Sequence, residues 1–150
     1  MDQVPAHLLP LLLALVSGVL MAVQGSLNTA MAKVVGLWEA TFVVHITGTL
    51  LLVVILFAIR AGKGGLGSLA QAPWYAYLGG VAGVFIIYLV AASIPSTGVA
   101  NATTAIIVGQ VLTAVLIDHF GAFGLAKTPC GLNQLAGLVL LAIGAKLLLR

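Results

Sequence analysis

Chemistry in this chain is confined to a few polar side chains set within long apolar runs. Gln24 and Asn28 lie in the first run, His45 in the second, and Asn101 and Gln110 in the fourth, which ends at Asp118. Amides and an imidazole in such surroundings each need a partner or water, and each can offer a hydrogen bond in return, which suits the binding and passage of a solute. His45 is the only side chain well inside a run that titrates near neutral pH, so it could pass or sense protons. A neutral histidine bonded to a backbone carbonyl is the alternative. Asp118 is the only acid placed to attract a cation or exchange a proton at a pathway mouth, unless it simply caps the loop that follows.

The spacings group these residues by face. Ser17, Gln24 and Asn28 are seven and four residues apart, so in a helix they form one polar stripe. Thr41, His45, Gly48 and Thr49 also share a side. Thr103 and Gln110 share a face with Thr113 close by, and Asn101 falls nearly opposite them. A solute pathway and helix adhesion through amide hydrogen bonds, worth about 0.6 kcal/mol each in membranes, both account for such stripes.

The missing residue types narrow the function. No carboxylate lies in the middle of a run, no His/Glu/Cys cluster has metal spacing, and no glycine-rich loop leads into a helix in a phosphate-binding pattern. Neither a metal nor a cofactor is expected, and with no nucleophile-base pair the chain does not read as an enzyme. Cys130 is the single cysteine, so no disulfide forms within the chain.

The elements that position these residues are membrane helices. The chain is 62% hydrophobic and 6% charged, with a mean hydropathy of +1.24, more apolar surface than a soluble fold of 150 residues could bury. Five runs, 8–30, 40–59, 76–94, 98–117 and 131–149, each approach the roughly 20 residues that cross about 30 Å of hydrocarbon. Lipid offers no partner to backbone N–H and C=O groups, and the runs are too continuous for barrel strands, so they should be helices. The expected fold is all-α, a polytopic bundle of five transmembrane helices forming one domain over 1–150. Trp38, Trp74, Tyr75 and Tyr77 mark interfaces, and Glu39 faces head-group water where the second span begins. Gly79 and Gly83 in the third span, and Gly137 and Gly144 one heptad apart in the fifth, read as close-packing positions. Cleavage of the first span as a signal peptide is not expected: no Lys or Arg precedes it, its apolar run exceeds a normal signal core, and Gln24 and Asn28 interrupt it.

Two motifs resemble a known family. Gly18 through Lys33 (GVLMAVQGSLNTAMAK) resembles the first-helix motif of the YdcZ family of inner-membrane exporters, within the drug/metabolite transporter superfamily. Gly109-Gln110, Ile117-Asp118-His119-Phe120-Gly121 and Gly124 are similar to its fourth-helix signature. The likeness implies a small transporter of the inner (plasma) membrane and gives Gln24, Asn28, Gln110 and Asp118 candidate functional status. His45 falls where family members usually carry a small or neutral polar residue. The stretch from Gly137 to Ala145 resembles the glycine heptad through which small multidrug resistance proteins dimerise, although their first-helix glutamate has no counterpart here. A secondary transporter moving a small metabolite or drug-like solute by alternating access is expected, with a pathway formed by Gln24, Asn28, His45, Asn101, Gln110 and Asp118. A non-transporting membrane scaffold or subunit is the alternative.

The six cations, Lys33, Arg60, Lys63, Lys127, Lys146 and Arg150, lie in loops or near span ends, which accounts for the net charge of +3 without nucleic acid. With five spans, Arg60, Lys63 and Lys127 fall on one side of the membrane and Lys33, Lys146 and Arg150 on the other. The positive-inside rule orients a chain by that difference, so a tie predicts insertion both ways up. An inverted-symmetry homodimer, or pairing with a homologous subunit, would then supply ten helices around a pathway. A compartment-specific reporter fused to the C-terminus should give signal on both sides, and adding one Lys to either set should bias it. A wild-type signal from one side alone would end the idea of dual topology.

Overall fold

The computed structural model describes residues 8–62 and 64–149; Lys63 and Arg150, two of the cations in the charge tie, lie outside the described residues. The described residues are helical apart from short loops. The five helices are α1 (Leu8–Val35), α2 (Leu37–Val53), α3 (Leu78–Thr97), α4 (Val99–Phe120) and α5 (Leu132–Leu148). A π-helical segment, Val54–Ala58, prolongs α2, and two 3-10 turns, Leu66–Gln71 and Trp74–Tyr77, lead into α3. The Tyr77 hydroxyl donates to the Leu69 carbonyl at 2.8 Å and ties those turns together.

Four helical stretches, 8–35, 37–58, 74–97 and 99–120, are long and apolar enough to cross a membrane, and α5 is a shorter apolar helix of 17 residues. At 1.5 Å per residue α5 spans roughly 25 Å, the lower end of what hydrocarbon requires. The 28 residues of α1 run on from position 30 to Val35, past the expected end, and reach about 42 Å, so α1 must tilt or extend past the interface.

Hydroxyls inside these helices bond to the backbone of their own helix. Ser26 donates to Ala22, Thr41 to Leu37, Thr47 to Val43 and Thr104 to Ala100, all at 2.8 to 2.9 Å. This back-bonding lets a hydroxyl sit in apolar surroundings with its proton satisfied. Among the described residues, no fully buried side-chain nitrogen or oxygen lacks a hydrogen-bond partner.

Contacts fall into two compact units, one running to Pro95 and the other from Ser96. In the first, α1 and α2 pack together, and α3 meets α1 at Gly25 and Thr29 and α2 at Trp38; the buried residues are Gly25, Asn28 and Thr29 of α1, Ala40 and Thr41 of α2, and Ala91 of α3. In the second, α4 packs against α5, and Ala102 and Ala145 are its buried apolar side chains.

Two glycines make the one-residue breaks between consecutive helices. One residue, Gly36 (φ 99°, ψ 158°), separates α1 from α2, and Gly98 (φ 81°, ψ 159°) separates α3 from α4. Both conformations belong to a region that side chains other than glycine avoid, and a Cβ at Gly36 would also run into the Glu39 carboxylate folded over it. Gly36→Ala or Gly98→Ala should destabilise the protein by about 1–3 kcal/mol. Gly18→Ala, at a mid-helix glycine with open space around it, should leave stability unchanged or raise it by up to about 1 kcal/mol. Thermal unfolding in detergent checks the opposite signs.

Candidate functional site

The first unit is organised by the approach of α1 to α3. A Cβ built on Gly25 would lie 2.8 Å from Cγ1 of Val90 and 3.3 Å from Cδ1 of Ile94, so α3 side chains occupy the space that a side chain at position 25 would need. One turn along α1, the Thr29 hydroxyl donates to the Gly25 carbonyl at 2.8 Å and makes a longer contact, 3.5 Å, with the carbonyl of Ala91 on α3. Pro95 lies inside α3 and has no N–H to give that Ala91 carbonyl, its i−4 partner. A helix-breaking residue and a close-packed hydroxyl thus meet at one backbone oxygen.

Beside this point is a cleft of about 120 Å³, lined by Thr29, Ala32, Lys33, Leu37, Ala91, Ala92 and Pro95. Thr29 and Lys33 are its polar residues. Lys33 belongs to the last turn of α1, where a cation complements the negative end of the helix. Trp38 at the start of α2 stacks on Tyr88 of α3, with ring centroids 4.2 Å apart, so this expected interface marker also joins two helices.

Asn28 is buried, at 6% exposure, on the same side of α1 as Gly25 and Thr29. The other members of the expected stripe behave differently: Gln24 is exposed, and Ser17 is exposed with its hydroxyl bonded to the Ala14 carbonyl. The buried face of α1 is therefore rotated from the line through Ser17, Gln24 and Asn28. His45 is half-buried, and its Nδ1 lies 2.8 Å from the Thr41 carbonyl. A carbonyl only accepts, so Nδ1 carries the proton and Nε2 is left as an acceptor, close to Gly83 of α3. This is the backbone-bonded arrangement named above as the alternative to a proton relay.

In the second unit Asn101 is half-buried, while Gln110 and Asp118 are exposed. The Asp118 backbone carbonyl accepts N–H groups from Gly121 (3.3 Å) and Thr128 (2.7 Å), so the loop after α4 folds back over the helix end. Gly137 is exposed and Gly144 half-buried, and a Cβ at either would meet nothing in the chain within 4 Å. The surface of α5 at both positions is open to a close neighbour. No group of three potential metal ligands occurs among the described residues.

Residues 9–147 match a family model described as "Putative inner membrane exporter, YdcZ". The chain belongs to this YdcZ family. It is a multi-pass protein of the inner membrane, and the family's description is that of a membrane exporter. No curated protein and no solved structure gives a significant match.

Sequence reasoning missed Thr29, Ala91 and Pro95 as a group. The small-xxx-small spacing of Gly25 and Thr29 was the available signal for the contact face in this YdcZ member. If that face is built on Gly25, Gly25→Leu should overpack it and destabilise the protein by about 1–3 kcal/mol. Gly48→Leu, into open space on α2, should not. Melting temperatures of the two variants in the same detergent decide the point.

Proposed function

We propose that this YdcZ member is a secondary transporter that exports a small polar solute by alternating access, and that the cleft beside Thr29 and Lys33 belongs to its solute pathway. The observation that carries the reading is a polar interior: Asn28, Thr29 and Thr41 are all buried in the first unit, and Thr29 lines that cleft. Pro95 gives α3 a point at which the helix can bend without losing a further hydrogen bond.

The cleft, at about 120 Å³, is on the scale of a small metabolite. Its chemistry pairs a cation, Lys33, with oxygen acceptors on Thr29 and Ala91. A small acid carrying a hydroxyl or amino group would satisfy both, its carboxylate on Lys33 and its O–H or N–H toward the oxygens. Gln24 and His45 are the further solute-contacting residues proposed for this unit, and Asn101, Gln110 and Asp118 are those proposed for the second unit. Function as a dimer, antiparallel or with a homologous subunit, through Gly137 and Gly144 is part of the same proposal.

Proteoliposomes loaded with a mixture of small hydroxy and amino acids test this reading against a scaffold. Wild-type protein should release at least one of them faster than empty vesicles do. Asn28→Leu, close in volume to the native residue, should fold and lose that flux. Lys33→Gln should cut it about tenfold, the scale of losing one charge-assisted hydrogen bond. Flux absent for every solute tested, or unaffected by both substitutions, would favour the scaffold reading.

A further inference from the structure

Apart from the solute pathway, one hydrogen bond in the second unit depends on the charge of an imidazole. The Cys130 amide N–H donates to Nδ1 of His119 at 3.0 Å, closing a loop between the last turn of α4 and the residue just before the α5 cap. An amide N–H can only donate, so Nδ1 must present its lone pair and the neutral ring carries its proton on Nε2. A second proton can enter only at Nδ1, where it would face the Cys130 N–H donor to donor. We propose that His119 is a proton-binding site whose charge state latches the loop between α4 and α5: closed when the ring is neutral, released at its Cys130 end when the ring is protonated.

The contrast with His45 shows why this follows from geometry. His45 uses Nδ1 as donor to the Thr41 carbonyl, so its second proton goes to Nε2 and leaves that bond in place. His119 has the opposite arrangement, and its second proton removes the bond. The rest of the loop is held by contacts indifferent to the ring: Thr128 and Gly121 N–H on the Asp118 carbonyl, and Leu125 N–H on that of Ala122. Release is therefore confined to the segment entering α5, whose first turn is capped by the Gly131 N–H on Oε1 of Gln134.

The ring stands in apolar surroundings: His119 and Cys130 form part of the wall of a cavity of about 340 Å³ that apolar side chains of α4 and α5 otherwise line, Leu112 and Leu138 among them. The titratable and charged groups about it are Asp118 beside it on α4, Lys127 on the loop over Gly121, and the Cys130 thiol. Leu135 and Leu138 of α5 line the same cavity, and the Phe120 ring stands edge-on to the imidazole at 5.0 Å.

The test is a titration of the full-length, histidine-labelled protein in detergent micelles between about pH 8 and pH 5, the range in which an imidazole changes charge. Nitrogen NMR reports the ring tautomer, and amide hydrogen exchange, corrected for its intrinsic pH dependence, reports the latch. At the upper end His119 should hold its proton on Nε2. As the ring takes its second proton, exchange at Cys130 should rise about tenfold while Thr128 stays protected. His119→Asn offers an oxygen to the same N–H without titrating and should keep Cys130 protected throughout. His119→Phe should leave it exposed throughout. A proton on Nδ1 at the upper end, or wild-type Cys130 protection unchanged as the ring titrates, would overturn the proposal.

Discussion

The first unit depends on one close approach, α1 against α3 at Gly25. Because position 25 has no side chain, Val90 and Ile94 of α3 fill its space, and the next turn of α1 brings the Thr29 hydroxyl toward the Ala91 carbonyl. Pro95 has left that carbonyl without its ordinary helical donor. The cleft, the Trp38–Tyr88 stack and the half-buried His45 all lie on helices held by this contact. In lipid, such packing of small residues takes the place of the hydrophobic drive that would assemble a soluble core.

How far the sequence was legible follows from what each physical rule constrains. Lipid forces the backbone to satisfy itself, so an apolar run of sufficient length must be a helix, and all five runs are helical. The ends were harder. α1 runs on to Val35 and α2 begins at Leu37, because a single glycine in a glycine-only conformation makes the connection and no polar linker marks it. Spacing correctly put Ser17, Gln24 and Asn28 on related positions but could not say which face turns inward. Serine and threonine hydroxyls satisfy themselves on their own helix, so polarity alone does not point to the interior. Small size does, and Gly25 with Thr29 was the better guide.

His45 and His119 show a second limit. Both lie in helices and both use Nδ1, yet one donates to a carbonyl and the other accepts from an amide. Nothing in residue type or spacing separates these cases, because the difference comes from a loop folding back from position 130 to position 119. The family signature around Asp118 and His119 falls on the segment where the loop after α4 folds back. The backbone shows that Asp118 works there through its carbonyl, while the histidine side chain closes the loop.

The central claim is that the cleft at Thr29 and Ala92 belongs to an aqueous pathway, and water access measures it most directly. In a Cys130→Ser background, single cysteines at Thr29 and Ala92 can be compared with cysteines at Leu27 and Leu89, outward-facing positions on the same two helices that are 64% and 60% exposed. Membrane vesicles are treated with a charged thiol reagent that does not enter lipid. Faster labelling at positions 29 and 92 than at 27 and 89, slowed by a transported solute, is the predicted result; labelling no faster at the cleft than at the outward positions would contradict it.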